Sequence, residues 1–203
     1  MSTEQKRLTI IVELFEQLFR QPFQTRLLGG AAEPIYIPAG YQVDQDTVAE
    51  LAATEAAGIP ELDACHRLYF RYDYLSSALH ESAHWCIAGE QRREKLDYGY
   101  WYSPDGRSSQ QQQQFEKVEI KPQALEWMFS VACGQQFLIS ADNLASSDGA
   151  SGEFVIAVAE QAQRWCNPDS LPARGRQFIE ALAARFNCGD VLSPQHYNPG
   201  RLG

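Results

Sequence analysis

Apolar residues at Leu8, Ile11, Phe15 and Leu18, widened by Ile10, Val12, Leu14 and Phe19, repeat at helical spacing. That pattern predicts an amphipathic helix with a broad buried stripe over Leu8–Phe19. Gly29 and Gly30 open the next stretch, and Glu33-Pro-Ile-Tyr-Ile-Pro38 reads as a short edge strand between prolines. Residues 44–58, rich in alanine and acids, suggest an exposed helix or insertion. Arg67-Leu-Tyr-Phe-Arg-Tyr72 reads as a strand feeding a helix from about Tyr74 to Ala88, with Gly89 placed to cap its C-terminus.

The second half is mostly helical in pattern. Leu96 to Arg107 is aromatic and rich in turn residues, with a turn at Pro104-Asp-Gly106. Gln110–Gln114 reads as a solvated helix start or loop. Ala124, Leu125, Met128, Phe129 and Ala132 mark a strong helix ending at Gly134, and Pro122 is expected to begin or kink it. Residues 141–152 form a loop. Two amphipathic helices follow, about Glu153–Cys166 and Pro172–Phe186. The expected class is α+β: a mainly α-helical single domain with a few short strands. Its catalytic domain covers 1–192, with 42–62 a probable insertion and 193–203 a mobile C-terminal tail.

Composition narrows the class. A chain of 203 residues buries roughly 70% of its unfolded surface, so it needs no structural metal or disulfide merely to fold. Twenty-six acidic against 17 basic residues give a net charge of −9, which argues against a nucleic-acid binder. Five scattered cysteines without a CxxC pair exclude a zinc ribbon and read as reduced, buried thiols. Glu13 and Glu16 interrupt any signal-peptide core, and no apolar run approaches the roughly 18 residues of a membrane span. The expected location is cytoplasmic, with no nucleic-acid or membrane partner.

Chemistry concentrates at His80-Glu-Ser-Ala-His84, an H-E-x-x-H motif inside a predicted helix. Residues i and i+4 lie above one another, so two imidazoles can grip one cation. Two histidines under-coordinate a divalent metal and call for a third ligand. Glu119 is the favoured candidate, with Glu116 as the alternative or as a supporting carboxylate outside the ligand sphere. His66 and His196 are weaker candidates, as structural or surface histidines. Tyr98, Tyr100, Trp101 and Tyr102 form an aromatic run bracketed by Asp97 and Asp105, suited to a cationic substrate. Arg92, Arg93 and Lys95 follow the metal helix as a short basic run.

Two histidines and a carboxylate serve two chemistries. A zinc peptidase would use Glu81 as general base. A non-haem iron oxygenase would keep open positions for oxygen and substrate. Residue chemistry alone favours the peptidase, and a metal-stabilised binding module without catalysis is a third reading.

Ala78-Leu-His-Glu-Ser-Ala-His-Trp-Cys-Ile-Ala-Gly89, Arg92-Arg-Glu94, Asp97-Tyr-Gly-Tyr-Trp-Tyr-Ser-Pro-Asp-Gly-Arg107 and Gln114-Phe-Glu-Lys-Val-Glu-Ile-Lys-Pro-Gln-Ala-Leu-Glu-Trp127 together resemble the bacterial elongation factor P hydroxylase family. Glu33-Pro-Ile-Tyr-Ile-Pro-Ala39 and Asp142-Asn-Leu144 fit the same family, and residues 42–62 are extra length relative to it. The resemblance implies hydroxylation of a lysine of elongation factor P already extended by a β-lysyl group. It implies a non-haem Fe(II) held by His80, His84 and Glu119 or Glu116, with molecular oxygen as co-substrate. Zinc belongs to the peptidase alternative. Asp97, Asp105 and the tyrosines are then pocket candidates for the cationic arm, an assignment made from their chemistry.

Overall fold

The computed structural model describes residues 1–43, 64–97, 108–140 and 150–202. The exposed helix or insertion read into 44–58, the Pro104–Gly106 turn and most of the 141–152 loop lie outside them. The chain divides into two compact units, Met1–Gly99 and Tyr100–Gly203. As expected for a mainly α protein with few strands, six helices and a three-stranded sheet are found among the described residues.

The first unit opens with α1, Thr3–Phe23, longer than the apolar stripe alone suggested. Ser2 extends it: its Oγ accepts the Gln5 N–H while the Gln5 side chain accepts the Ser2 N–H, a reciprocal capping box. Leu8, Ile11, Phe15 and Phe19 are its buried stripe. The chain turns at Gln24, in the left-handed region, into β1, Thr25–Ala31. Glu16 ties helix to strand by accepting the Leu27 N–H at 3.3 Å and pairing with Arg26 at 3.2 Å. The strands β2, Ile35–Ile37, and β3, His66–Arg71, complete a sheet ordered β1-β3-β2. β3 runs parallel to β1 and antiparallel to β2, so Pro34-Ile-Tyr-Ile-Pro38 is an edge, as its prolines require.

β1 has no counterpart in the sequence reading, because Gly29 and Gly30 interrupt its apolar alternation. The register shifts between Leu28 and Ala31, and Gly30 has φ +96°. Gly29 is required by close approach: a Cβ there would lie 2.8 Å from the Phe70 ring and 3.0 Å from the Tyr72 carbonyl oxygen. Gly29→Ala is therefore expected to cost about 1–3 kcal/mol by overpacking. Denaturant unfolding checks this, and wild-type stability would refute it.

α2, Leu75–Ile87, packs on β3 and α1. Gly89 does not close it with a left-handed turn as expected. Its φ is −68°, and it starts the short α3, Glu90–Arg93, so the chain passes from one helix to the next through Ala88. Beneath α2, Trp85 meets Phe15, Phe19 and Phe23 at ring-centroid distances of 5.1, 4.9 and 5.5 Å, and the Arg93 guanidinium lies over the Trp85 ring.

In the second unit α4, Ser109–Ala132, starts with another capping box, between Ser108 and Gln111, so the glutamine tract is a helix start. It continues through Pro122, correcting the expected break. Proline deletes one backbone bond, but Phe115 before it and Leu125, Met128 and Phe129 after it are all buried and hold both halves in place. α5, Gly152–Trp165, and α6, Ala173–Phe186, pack against α4, with Phe129 edge-on to Phe178 at 5.0 Å. Pro172 stands at the N-cap of α6 and not in its first turn.

Residues 193–202 are not the mobile tail that their polar composition suggests. Two 3₁₀ turns, Pro194–His196 and Pro199–Arg201, flank Tyr197, which is fully buried. Its hydroxyl donates to the Val191 carbonyl, its own carbonyl accepts from Gln163, and its ring sits edge-on to Trp127 at 5.4 Å. One buried aromatic anchors a segment without apolar periodicity.

Candidate metal centre

The H-E-x-x-H motif lies within α2. Leu79, Ala83 and Cys86 are buried, which fixes the helix rotation and leaves His80 and His84 half-buried. Their Nε2 atoms face each other at 3.1 Å, with ring centroids 4.7 Å apart. Two nitrogens this close can both reach one ion at the usual bond length of about 2.0–2.1 Å, so the pair passes a first test of fit for a divalent metal. Glu81, between them in sequence, is buried.

A small hollow of about 30 Å³ lies beside this pair in the first unit, lined by Tyr36, Glu81, His84, Trp85, Arg92 and Arg93 among others. Polar struts shape it. The Tyr36 hydroxyl donates to the Arg93 carbonyl at 2.8 Å and lies 2.9 Å from His66 Nδ1, which also accepts the Ala39 N–H at 3.2 Å. Burial, and secondarily the Arg93 guanidinium, lower the His66 pKa, so its imidazole is held neutral. His66 is thus a brace between strands. His196, in the second unit, sits in a 3₁₀ turn with its ring against Tyr197.

Asp97 is placed by its backbone, which pairs with Tyr36 on the outer edge of β2, and its carboxylate holds Arg92 at 2.6 Å. Tyr98, Tyr100, Trp101, Tyr102 and Asp105 lie outside the described residues.

In the second unit, α4 carries a buried polar stripe: Glu116, Glu119, Gln123, Glu126 and Ser130. The spacing of 3, 4, 3 and 4 keeps all five on one helix face. Five buried polar side chains in a row are unusual, since carboxylates are almost never buried without partners. Glu119, 4% exposed, stands one turn after Glu116. Glu116 already serves Ser151, accepting its N–H at 3.2 Å and its hydroxyl at 2.6 Å. Gln123 was missed in the sequence, although its position four residues after Glu119 was a readable signal. Its side-chain amide accepts the Ser140 N–H at 3.0 Å and donates to the Ser140 carbonyl at 2.7 Å.

A model of the elongation factor P hydroxylase family matches residues 14–197. The chain belongs to the elongation factor P hydroxylase family. The elongation factor P lysine hydroxylase of Haemophilus influenzae (strain ATCC 51907 / DSM 11121 / KW20 / Rd) is 40% identical over 187 residues, which cover 92% of this chain and 93% of that protein. His80, His84, Glu116 and Glu119 all fall inside the matched span. Membership of the hydroxylase family turns the choice of chemistry away from peptide hydrolysis, which residue types alone had favoured.

Proposed function

We propose that this chain is a protein-lysine hydroxylase acting on elongation factor P, with His80, His84 and Glu119 holding a non-haem Fe(II). Family membership over residues 14–197, joined to the facing Nε2 atoms of His80 and His84, carries the reading. Glu119 is the chosen carboxylate because Glu116 is committed to Ser151, while both histidines and Glu119 are of the right donor types for a borderline divalent metal. Iron with molecular oxygen supplies the oxidant that an unactivated C–H bond needs and that acid–base side chains cannot provide.

The chain's own residues do the rest. Trp85 and the buried side of α2 keep water from one flank of the histidine pair. Glu81, buried and lining the same hollow as His84, is the residue to which this reading gives the handling of a proton. The substrate is the lysine already extended by β-lysine, whose amines suit Asp97, Asp105, Tyr98, Tyr100 and Tyr102. Asp97 holds Arg92 in the free protein, so an arriving ammonium group must share or displace that partner. No helix among the described residues is long and apolar enough to cross a membrane, and the reading places the reaction in the cytoplasm.

The test is the intact mass of β-lysylated elongation factor P after incubation with the iron-loaded chain, molecular oxygen and a reductant. The expected product gains one oxygen atom, and that atom carries the label when isotopically heavy O₂ is used. No gain with iron-loaded protein and competent substrate would sink the proposal. Cleavage of the factor without oxygen, lost in Glu81→Gln, would restore the zinc peptidase reading.

A further inference from the structure

We infer that Glu116 and Gln123 are positioning residues for the Glu119 carboxylate, an inference that rests on Glu119 being a metal ligand. Glu116 precedes Glu119 by three residues and Gln123 follows it by four, so the three share one buried face of α4. Each flanking side chain grips backbone from a different place. Gln123 makes two hydrogen bonds to the main chain of Ser140, at 2.7 and 3.0 Å. Glu116 receives both the N–H and the hydroxyl of Ser151, the residue whose Oγ caps α5 by accepting the Phe154 N–H at 3.1 Å. A carboxylate at that helix start also complements the helix dipole.

The topology gives these bonds their meaning. Residues 141–150 separate Ser140 from Ser151 in the chain, whereas Glu116 and Gln123 stand about 10.5 Å apart along α4 at 1.5 Å per residue. The chain is therefore tied to α4 one turn after Glu119 and tied again one turn before it. With both neighbouring turns fastened to other backbone, the turn that carries Glu119 cannot slide or rotate against α5, and its carboxylate keeps one direction. A partner bonded directly to a metal ligand is worth about 10- to 100-fold in metal affinity, and these ties, which act one turn away through the helix backbone, belong at the lower end of that range.

The test uses the full chain stripped of metal and titrated with Co(II) alone, followed by its ligand-field absorption, with thermal melting of each metal-free variant as the check of folding. Gln123→Ala and Ser151→Ala are expected to bind Co(II) about tenfold or more weakly. Glu119→Gln should lose the cobalt spectrum. If one of the two alanine variants fails to fold, the other decides. Wild-type affinity in a folded alanine variant, even one with lowered melting temperature, overturns the inference while leaving the ligand reading intact as long as Glu119→Gln still loses cobalt. Wild-type cobalt binding by Glu119→Gln overturns the ligand reading and this inference with it.

Discussion

His80→Ala and His84→Ala are each expected to remove metal binding and hydroxylation of elongation factor P together, leaving a folded protein. Loss of a supporting contact around a metal costs about 10- to 100-fold, and loss of a ligand from a set that starts with only two imidazoles should exceed that range. The fold should survive because both rings are only half-buried, while the anchors of α2 are Leu75, Leu79, Ala83 and Trp85. The Nε2–Nε2 bond at 3.1 Å between two half-buried rings is worth only about 1 kcal/mol, so the metal-free variants should melt close to the metal-free wild type. Metal content by elemental analysis, product mass and thermal melting are the three measurements. Either variant retaining stoichiometric iron and full turnover would show that the pair is not the metal grip.

Trp85→Ala should instead destroy stability. Trp85 is 2% exposed and stands against three phenylalanines of α1, with Arg93 above its ring. Truncating such a side chain costs about 3–5 kcal/mol, the transfer term of the lost ring plus the cavity it leaves. Leu138→Ala provides the contrast, since an exposed side chain away from special features usually changes stability by less than about 0.5 kcal/mol. Urea unfolding of both variants separates them, and a Trp85→Ala protein within about 1 kcal/mol of wild type would refute the packing argument. Because Trp85 adjoins His84, metal affinity should fall along with stability in this variant, whereas His84→Ala changes affinity alone.

Particular residues show which parts of the fold were legible. The stripe of α1, the strand before α2, and α5 and α6 follow from periodicity, because each lays a continuous apolar face on one neighbour. β1 stayed hidden because Gly29 and Gly30 stand where alternation needs side chains, and the reason for Gly29 is the Phe70 ring from β3, remote in sequence. Pro122 pointed to a break that does not occur, since the burial of Phe115 and Leu125 on either side outweighs one lost hydrogen bond. The C-terminal segment read as a tail because a single aromatic, Tyr197, produces no period, yet one fully buried ring with two hydrogen bonds suffices to fix it.

The same division runs through the candidate site. That His80 and His84 face each other was legible in the sequence alone, because an i, i+4 pair on a helix is a local relation that needs no knowledge of the rest of the chain. Recognition of the family was likewise written in local runs of residues. The roles of Glu116 and Glu119 were not, since two carboxylates three residues apart on one helix are equivalent until something packs on them. What the tertiary structure adds is a partner for one of them: Ser151, 35 residues further along the chain, bonds the Glu116 carboxylate. Ser140 likewise turns Gln123 from an unremarked polar residue into a clamp. Those partners lie far along the chain, and a hydrogen bond over such a separation exists only once the fold has closed the distance.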